Sequence, residues 1–179
     1  FLDLLRLGLI SDQKLSLLAD GLGNLLMDRG IMLVSAESCT GGWIGQTITA
    51  IAGSSKWYDR GFITYSNASK QEMLGVDEHS LQIFGAVSEQ IASEMASGAI
   101  LNSHAHVSIA VTGIAGPGGS TEGKPVGMIC HGWAIKDGLA RNAVCFLEGD
   151  REAVRRQAVA ISLQGAIDLV HDLPLVDIS

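Results

Sequence analysis

The apolar positions Leu15, Leu17, Leu18, Leu22, Leu25, Leu26 and Met27 recur at helical spacing and stop near Arg29-Gly30, which predicts a first helix closed by a glycine. Ile31-Met32-Leu33-Val34 follows as an unbroken apolar run, the pattern of a strand buried on both faces. A polar loop then leads into Trp43-Ile44-Gly45-Gln46-Thr47-Ile48, the start of a second helix. The same order returns at Phe62-Ile63-Thr64-Tyr65, after which Ser66 or Asn67 caps a short helix running to Leu74 before Gly75. Val87 to Leu101, with Ser88 as N-cap and Ile91, Met95 and Ala99 on one face, reads as a longer helix. Val107 to Thr112 alternates as a strand.

Val126 to Ile135 and Leu139 to Phe146 flank Asp137-Gly138, a strong hairpin signal, and a two-residue turn there sets Cys130 opposite Cys145. Glu148 to Val170 supplies a last helix that buries Val154, Ala158, Ile161 and Ala166. Alternating strands and helices with one hairpin predict a single three-layer α/β/α domain around a mixed, mostly parallel sheet with one antiparallel hairpin. Its expected span is residues 11–172, with 1–10 and 173–179 as terminal extensions. The apolar first residues suit covering a neighbouring subunit or capping the core, with capping the expected role, and the tail after Pro174 is expected to fray.

Of the 179 residues, 47% are hydrophobic and 17% charged, which is a chain that buries a large core. No apolar run reaches the roughly 18 residues that cross a bilayer, and the opening residues lack the pattern of a secretory leader, so a cytoplasmic protein without a membrane partner is expected. The net charge of −7 leaves no basic stripe for nucleic acid, so any anionic ligand has to be met locally. Cys39, Cys130 and Cys145 have no C-x-x-C spacing and are expected as reduced thiols. His104 and His106 lack companions at zinc-site spacing, so no metal centre is expected.

In open α/β sheets ligands gather beyond the carboxyl ends of the strands, which places Ser38, the segment Tyr65 to Lys70 and Thr112 in one candidate crevice. The loop Glu37-Ser38-Cys39-Thr40-Gly41-Gly42 combines hydroxyl and thiol nucleophiles with glycines whose N–H groups can face an anion or oxyanion, although turn and cap residues account for it equally well. Lys70 is the candidate base if desolvated in the cleft, and a surface lysine otherwise. The run from Thr112 to Ser120 can bring N–H groups to a phosphate or serve as a crossover loop; it has neither P-loop nor dinucleotide spacing. Arg151 and Arg155 share a helix face and suit a bidentate phosphate clamp or, alternatively, pairing with Asp150 and Glu152.

Taken together and in order, Ala36-Glu37-Ser38-Cys39-Thr40-Gly41-Gly42, Ala52-Gly53-Ser54-Ser55, Gly61-Phe62-Ile63-Thr64-Tyr65-Ser66-Asn67, Lys70, Gly85-Ala86-Val87-Ser88-Glu89, Thr112-Gly113-Ile114-Ala115-Gly116-Pro117 and Lys124-Pro125-Val126-Gly127 resemble the CinA C-terminal domain family over about residues 13–170. The resemblance implies a hydrolase that deamidates nicotinamide mononucleotide to nicotinate mononucleotide and ammonia without metal or organic cofactor. It implies Ser38 as nucleophile, Lys70 as general base, and Tyr65 and Thr112 as hydrogen-bonding supports. Arg151 or Arg155, with the glycine loop, would hold the nucleotide phosphate, and Thr40, Gly41, Gly42, Asn67, Gly113 and Gly116 would meet the substrate. Cys39 is the rival nucleophile. A homodimer or larger assembly is implied, and the competing class is a noncatalytic nucleotide-binding or regulatory protein linked to competence or DNA damage. Longer family members carry a further N-terminal domain whose pyrophosphatase work is not expected here, and the loop from Gly116 to Gly123 departs from common members in detail.

Overall fold

The computed structural model describes residues 10–173; the expected capping role of the first residues and the fraying of the tail after Pro174 lie outside the described residues. The elements are α1 (Asp12–Arg29), β1 (Leu33–Glu37), α2 (Trp43–Thr49), a 3-10 turn (Ser54–Lys56), β2 (Tyr58–Ile63), α3 (Asn67–Leu74), α4 (Glu78–Phe84), α5 (Glu89–Leu101), β3 (Val107–Gly113), β4 (Met128–Ile135), β5 (Ala140–Phe146) and α6 (Arg151–His171). The five strands lie in the order β2-β1-β3-β4-β5. β1 runs parallel to both β2 and β3, whereas β4 is antiparallel to β3 and to β5, so four strands point one way and β4 the other.

Side chains of the central strands alternate between two apolar layers, as the pleat requires. Leu33, Val107, Ile109 and Val111 pack with α1, α2 and α6, while Val34, Ala36 and Ala110 pack with α3 and α5. The result is a three-layer α/β/α sandwich. Helix ends are closed by local side chains: Ser11, Ser66, Ser88 and Asp150 each accept from a backbone N–H in the first turn, an interaction worth about 1 kcal/mol at a typical N-cap. Among the described residues no helix is long and apolar enough to cross a membrane.

Three expectations shift. β1 starts at Leu33 and extends through Ser35-Ala36-Glu37, because Ile31 and Met32 are bonded elsewhere, to Leu26 O and to His106 Nδ1. β2 starts at Tyr58, where a bulge opposite Leu33 and Val34 brings Tyr58 Oη to 2.7 Å from Ser35 Oγ. The short helix α4 carries too few residues to show a period and was not expected from the sequence.

The hairpin between β4 and β5 forms, but its register is corrected by one residue. Ile135 N–H donates to Leu139 O at 2.9 Å, leaving a three-residue loop in which Asp137 takes φ 56°. Cys130 therefore faces Val144 and Cys145 faces Ile129. A one-residue slip exchanges faces, so the two thiols lie on opposite sides of the sheet; they are free, as is Cys39.

His131 on β4 is fully buried, with Nδ1 3.1 Å from Ser162 Oγ and its ring stacked on Trp133. Burial pushes its pKa from 6.5 down to about 3. The imidazole is thus neutral in the fold and takes up a proton only on unfolding, so its contribution to stability is complete above about pH 6.5 and is lost as the pH falls toward 3. Denaturant unfolding at about pH 7 and about pH 5 should show wild type losing about 2 kcal/mol more on acidification than His131→Gln. Equal losses would show that the buried ring is not the group responsible.

Candidate active site

Because β1, β2 and β3 are parallel, their carboxyl ends share one edge, and the chain leaves β1 for β2 on one side before returning to β3 on the other. That reversal opens a crevice above β1. Alternation along the strand sends Glu37 toward α2 and Ser38 toward α3. Ser38 N–H donates to Val111 O at 3.0 Å, which holds the loop start against β3.

α3 delivers Lys70 to the same point. Thr64 N–H donates to Glu37 O at 2.8 Å, Ser66 caps the helix, and Lys70 lies one turn further on with only 2% of its surface exposed. Its Nζ donates to Thr64 O at 2.7 Å and lies 3.1 Å from Ser38 Oγ. Among the described residues no carboxylate pairs with it. Burial therefore lowers its pKa below the ordinary lysine value of 10.5, with a smaller opposing influence from Cys39. The thiol of Cys39 is itself buried, and burial pushes it up to about 12, so it stays protonated and poorly nucleophilic.

The loop between Ser38 and α2 is held from two sides. Glu37, buried at the end of β1, accepts from Thr40 Oγ1 at 2.7 Å and from the N–H groups of Gly42, Ile44 and Gly45 at 3.0, 3.0 and 2.8 Å. Arg155 of α6 donates from Nε to Cys39 O at 3.1 Å and from Nη2 to Thr40 O at 2.7 Å. Gly41 and Gly42 take φ 62° and 98°, conformations that glycine adopts without strain. The expectation that their N–H groups face a bound anion or oxyanion is corrected: Gly41 N–H donates to Ser38 O, and the anion that Gly42 N–H meets is the protein's own Glu37 carboxylate. Thr40 N–H has no hydrogen-bond acceptor among the described residues.

The other sequence candidates divide. Thr112 Oγ1 donates to Ala86 O at 2.8 Å and ties β3 to the start of α5. Tyr65 is 63% exposed, and its Oη accepts from Arg151 Nη2 at 2.9 Å while Arg151 Nη1 donates to Gly116 O at 2.7 Å. Arg151 thus bridges the loops after β2 and β3. Gly113 is a packing position, since a Cβ there would lie 2.3 Å from Ile129 Cδ1. Asn67 is exposed in the first turn of α3. Beside the loop, a cleft of about 630 Å³ is lined by Thr40, Gly41, Trp43, Arg151 and Arg155 among others. Among the described residues no group of three or more His, Cys, Asp or Glu is placed to hold a metal ion.

Glu37, Thr64 and Trp43 enter the site without having been singled out. A carboxylate closing a buried strand just before a helix start is a readable signal for Glu37. The roles of Thr64 O, a backbone group, and of Trp43, which carries the Arg155 guanidinium 5.2 Å from its ring centroid, have no sequence signature.

The sequence profile of the CinA C-terminal domain matches residues 16–170. The chain belongs to that family. Among CinA-family relatives it is 51% identical over 158 residues to the nicotinamide-nucleotide amidohydrolase PncC of Enterobacter agglomerans, covering 88% of this chain and 96% of that protein. It is 48% identical over 157 residues to the PncC of Escherichia coli, covering 87% and 94%. The crystal structure of the competence/damage inducible protein CihA from Agrobacterium tumefaciens superposes with a TM-score of 0.85 at 40% identity, covering 91% of this chain and 98% of that one.

Glu37→Gln keeps the shape of the side chain but turns an amide NH2 toward donors that need an acceptor. The variant should lose about 2 kcal/mol or more of unfolding free energy, as when a buried, multiply bonded carboxylate is broken. An unchanged denaturation midpoint would show that Glu37 does not anchor the loop.

Proposed function

We propose that this chain hydrolyses the carboxamide of nicotinamide mononucleotide to nicotinate mononucleotide and ammonia, with Ser38 as nucleophile and Lys70 as its base. The observation that carries this reading is the buried Lys70 Nζ 3.1 Å from Ser38 Oγ, in a chain half identical to proteins named for that activity. A serine hydroxyl is a weak nucleophile until a neighbour takes its proton, and a lysine can do so only when neutral. Burial favours the neutral amine, and Thr64 O fixes one N–H so that the lone pair can turn to the hydroxyl.

Lys70 takes the proton of Ser38 Oγ as the oxygen attacks the amide carbon and an oxyanion forms. Collapse breaks the C–N bond, and Lys70 returns the proton to the departing ammonia. Water then attacks the resulting ester, giving one proton to Lys70 and from there to Ser38, and the acid is released. No cofactor enters these steps. Arg151 is assigned to the substrate phosphate: it is exposed beside the glycine loop, and a phosphate oxygen can replace its contacts to Tyr65 and Gly116. A soluble cytoplasmic setting and a homodimer or larger assembly belong to the same reading.

Purified protein incubated with nicotinamide mononucleotide should release ammonia; a noncatalytic nucleotide-binding protein would bind it and release none. Ser38→Ala and Lys70→Ala should each lower kcat by roughly three orders of magnitude or more, with the double variant little worse, while Cys39→Ser stays far milder. A fully active Ser38→Ala, or a folded but dead Cys39→Ser, would move the nucleophile to the thiol. Since the reactive base is the neutral amine, kcat/KM should rise with pH through an ionisation lying below 10.5, and Lys70→Ala should lack that limb. Arg151→Ala should raise KM for the mononucleotide about tenfold or more, and an unchanged KM would place the phosphate elsewhere.

A further inference from the structure

We propose that Arg155 is a positioning residue of the nucleophile loop and not a ligand of the substrate phosphate; this rests on the reading of Ser38 as nucleophile. The polar groups of the loop are sorted by sign. Its carbonyls at Cys39 and Thr40 are taken by the Arg155 guanidinium, and its N–H groups at Gly42, Ile44 and Gly45 by the Glu37 carboxylate. A cation on its carbonyls and an anion on its N–H groups hold the segment that follows Ser38, and neither partner comes from the segment itself.

The contact suits arginine in particular. Two successive carbonyls are met by the Nε and Nη2 edge of one planar fork, the edge that would otherwise grip a phosphate bidentately, and a lysine ammonium cannot span both in that geometry. Trp43 lies 5.2 Å from the guanidinium carbon and keeps the fork in place. The side chain that lines the cleft is therefore already engaged by the protein.

The clamp also directs a donor. In a planar trans peptide the C=O of Cys39 and the N–H of Thr40 point in opposite directions. With the carbonyl drawn to Arg155, the Thr40 N–H is turned away from it, where it has no acceptor among the described residues. The N–H groups of Cys39 and Thr40 both lack an acceptor among the described residues and are left for the oxyanion formed when Ser38 attacks, and it is the Thr40 N–H that the guanidinium on its peptide carbonyl strengthens. Arg155 thus acts through the peptide it holds.

The test uses Arg155→Lys and Arg155→Met, assayed with nicotinamide mononucleotide and with nicotinamide riboside, which has the same carboxamide and no phosphate. Both variants should lose about 10²-fold in kcat, with KM for the mononucleotide nearly unchanged and the preference for it over the riboside retained. Lysine should not rescue, although it keeps the charge. A second readout is independent of turnover: alkylation of Cys39, whose carbonyl Arg155 holds, should accelerate at least about tenfold while buried Cys130 stays as slow as in wild type, which reports an intact fold. A raised KM with full kcat and a lost preference for the phosphorylated substrate would make Arg155 a phosphate ligand and overturn the proposal. Unchanged kcat or unchanged Cys39 labelling would overturn it as well. If wild type releases no ammonia, the functional reading fails, and Cys39 labelling still decides the clamp.

Discussion

The rest of the site depends on a carboxylate buried at the end of the central strand. A charge removed from water is costly unless donors surround it, and Glu37 finds four, three of them backbone N–H groups at the start of α2. That requirement dictates how the chain turns from β1 into α2. Once Glu37 points toward α2, the pleat sends Ser38 to the opposite side, where α3 arrives. The position of Ser38 is thus a consequence of satisfying its neighbour.

Lys70 illustrates the complementary use of burial. Its ammonium has no carboxylate partner among the described residues, and its nearest acceptors are a carbonyl and a hydroxyl. Such surroundings favour the uncharged amine, which stability alone would not select but which a base requires. A nearby thiol offers no competition because burial holds its proton. One buried environment therefore favours the neutral form of both the amine and the thiol.

Arg151 and Arg155 both line the cleft at the start of α6, and in the proposed function only Arg151 meets the substrate phosphate. Their division of labour follows from reach: Arg151 spans two loops at the surface, whereas Arg155, one turn later, reaches the carbonyls of the loop that follows Ser38. The two share a helix face, as their spacing required, and differ in what lies above that face.

Where local chemistry decides, the residues can be read directly. Ser66 and Gly75 bound α3, Ser88 starts α5, and Gly30 ends α1, because caps and left-handed stops act within a few residues. The layered α/β/α class and the grouping of Ser38, Lys70 and Thr112 at one sheet edge follow equally from strands that each deliver a polar loop. The hairpin register did not follow, since one added loop residue preserves every local preference yet exchanges the faces of Cys130 and Cys145. Nor did the engagement of the Gly41 and Gly42 N–H groups, the bond from Lys70 to a backbone carbonyl, or the use of Arg155 on the carbonyls of Cys39 and Thr40. The Arg155 contacts join segments 115 and 116 residues apart, set by the packing of whole elements, while the others span six residues or fewer and turn on which nearby acceptor the folded loop presents, which residue spacing does not fix.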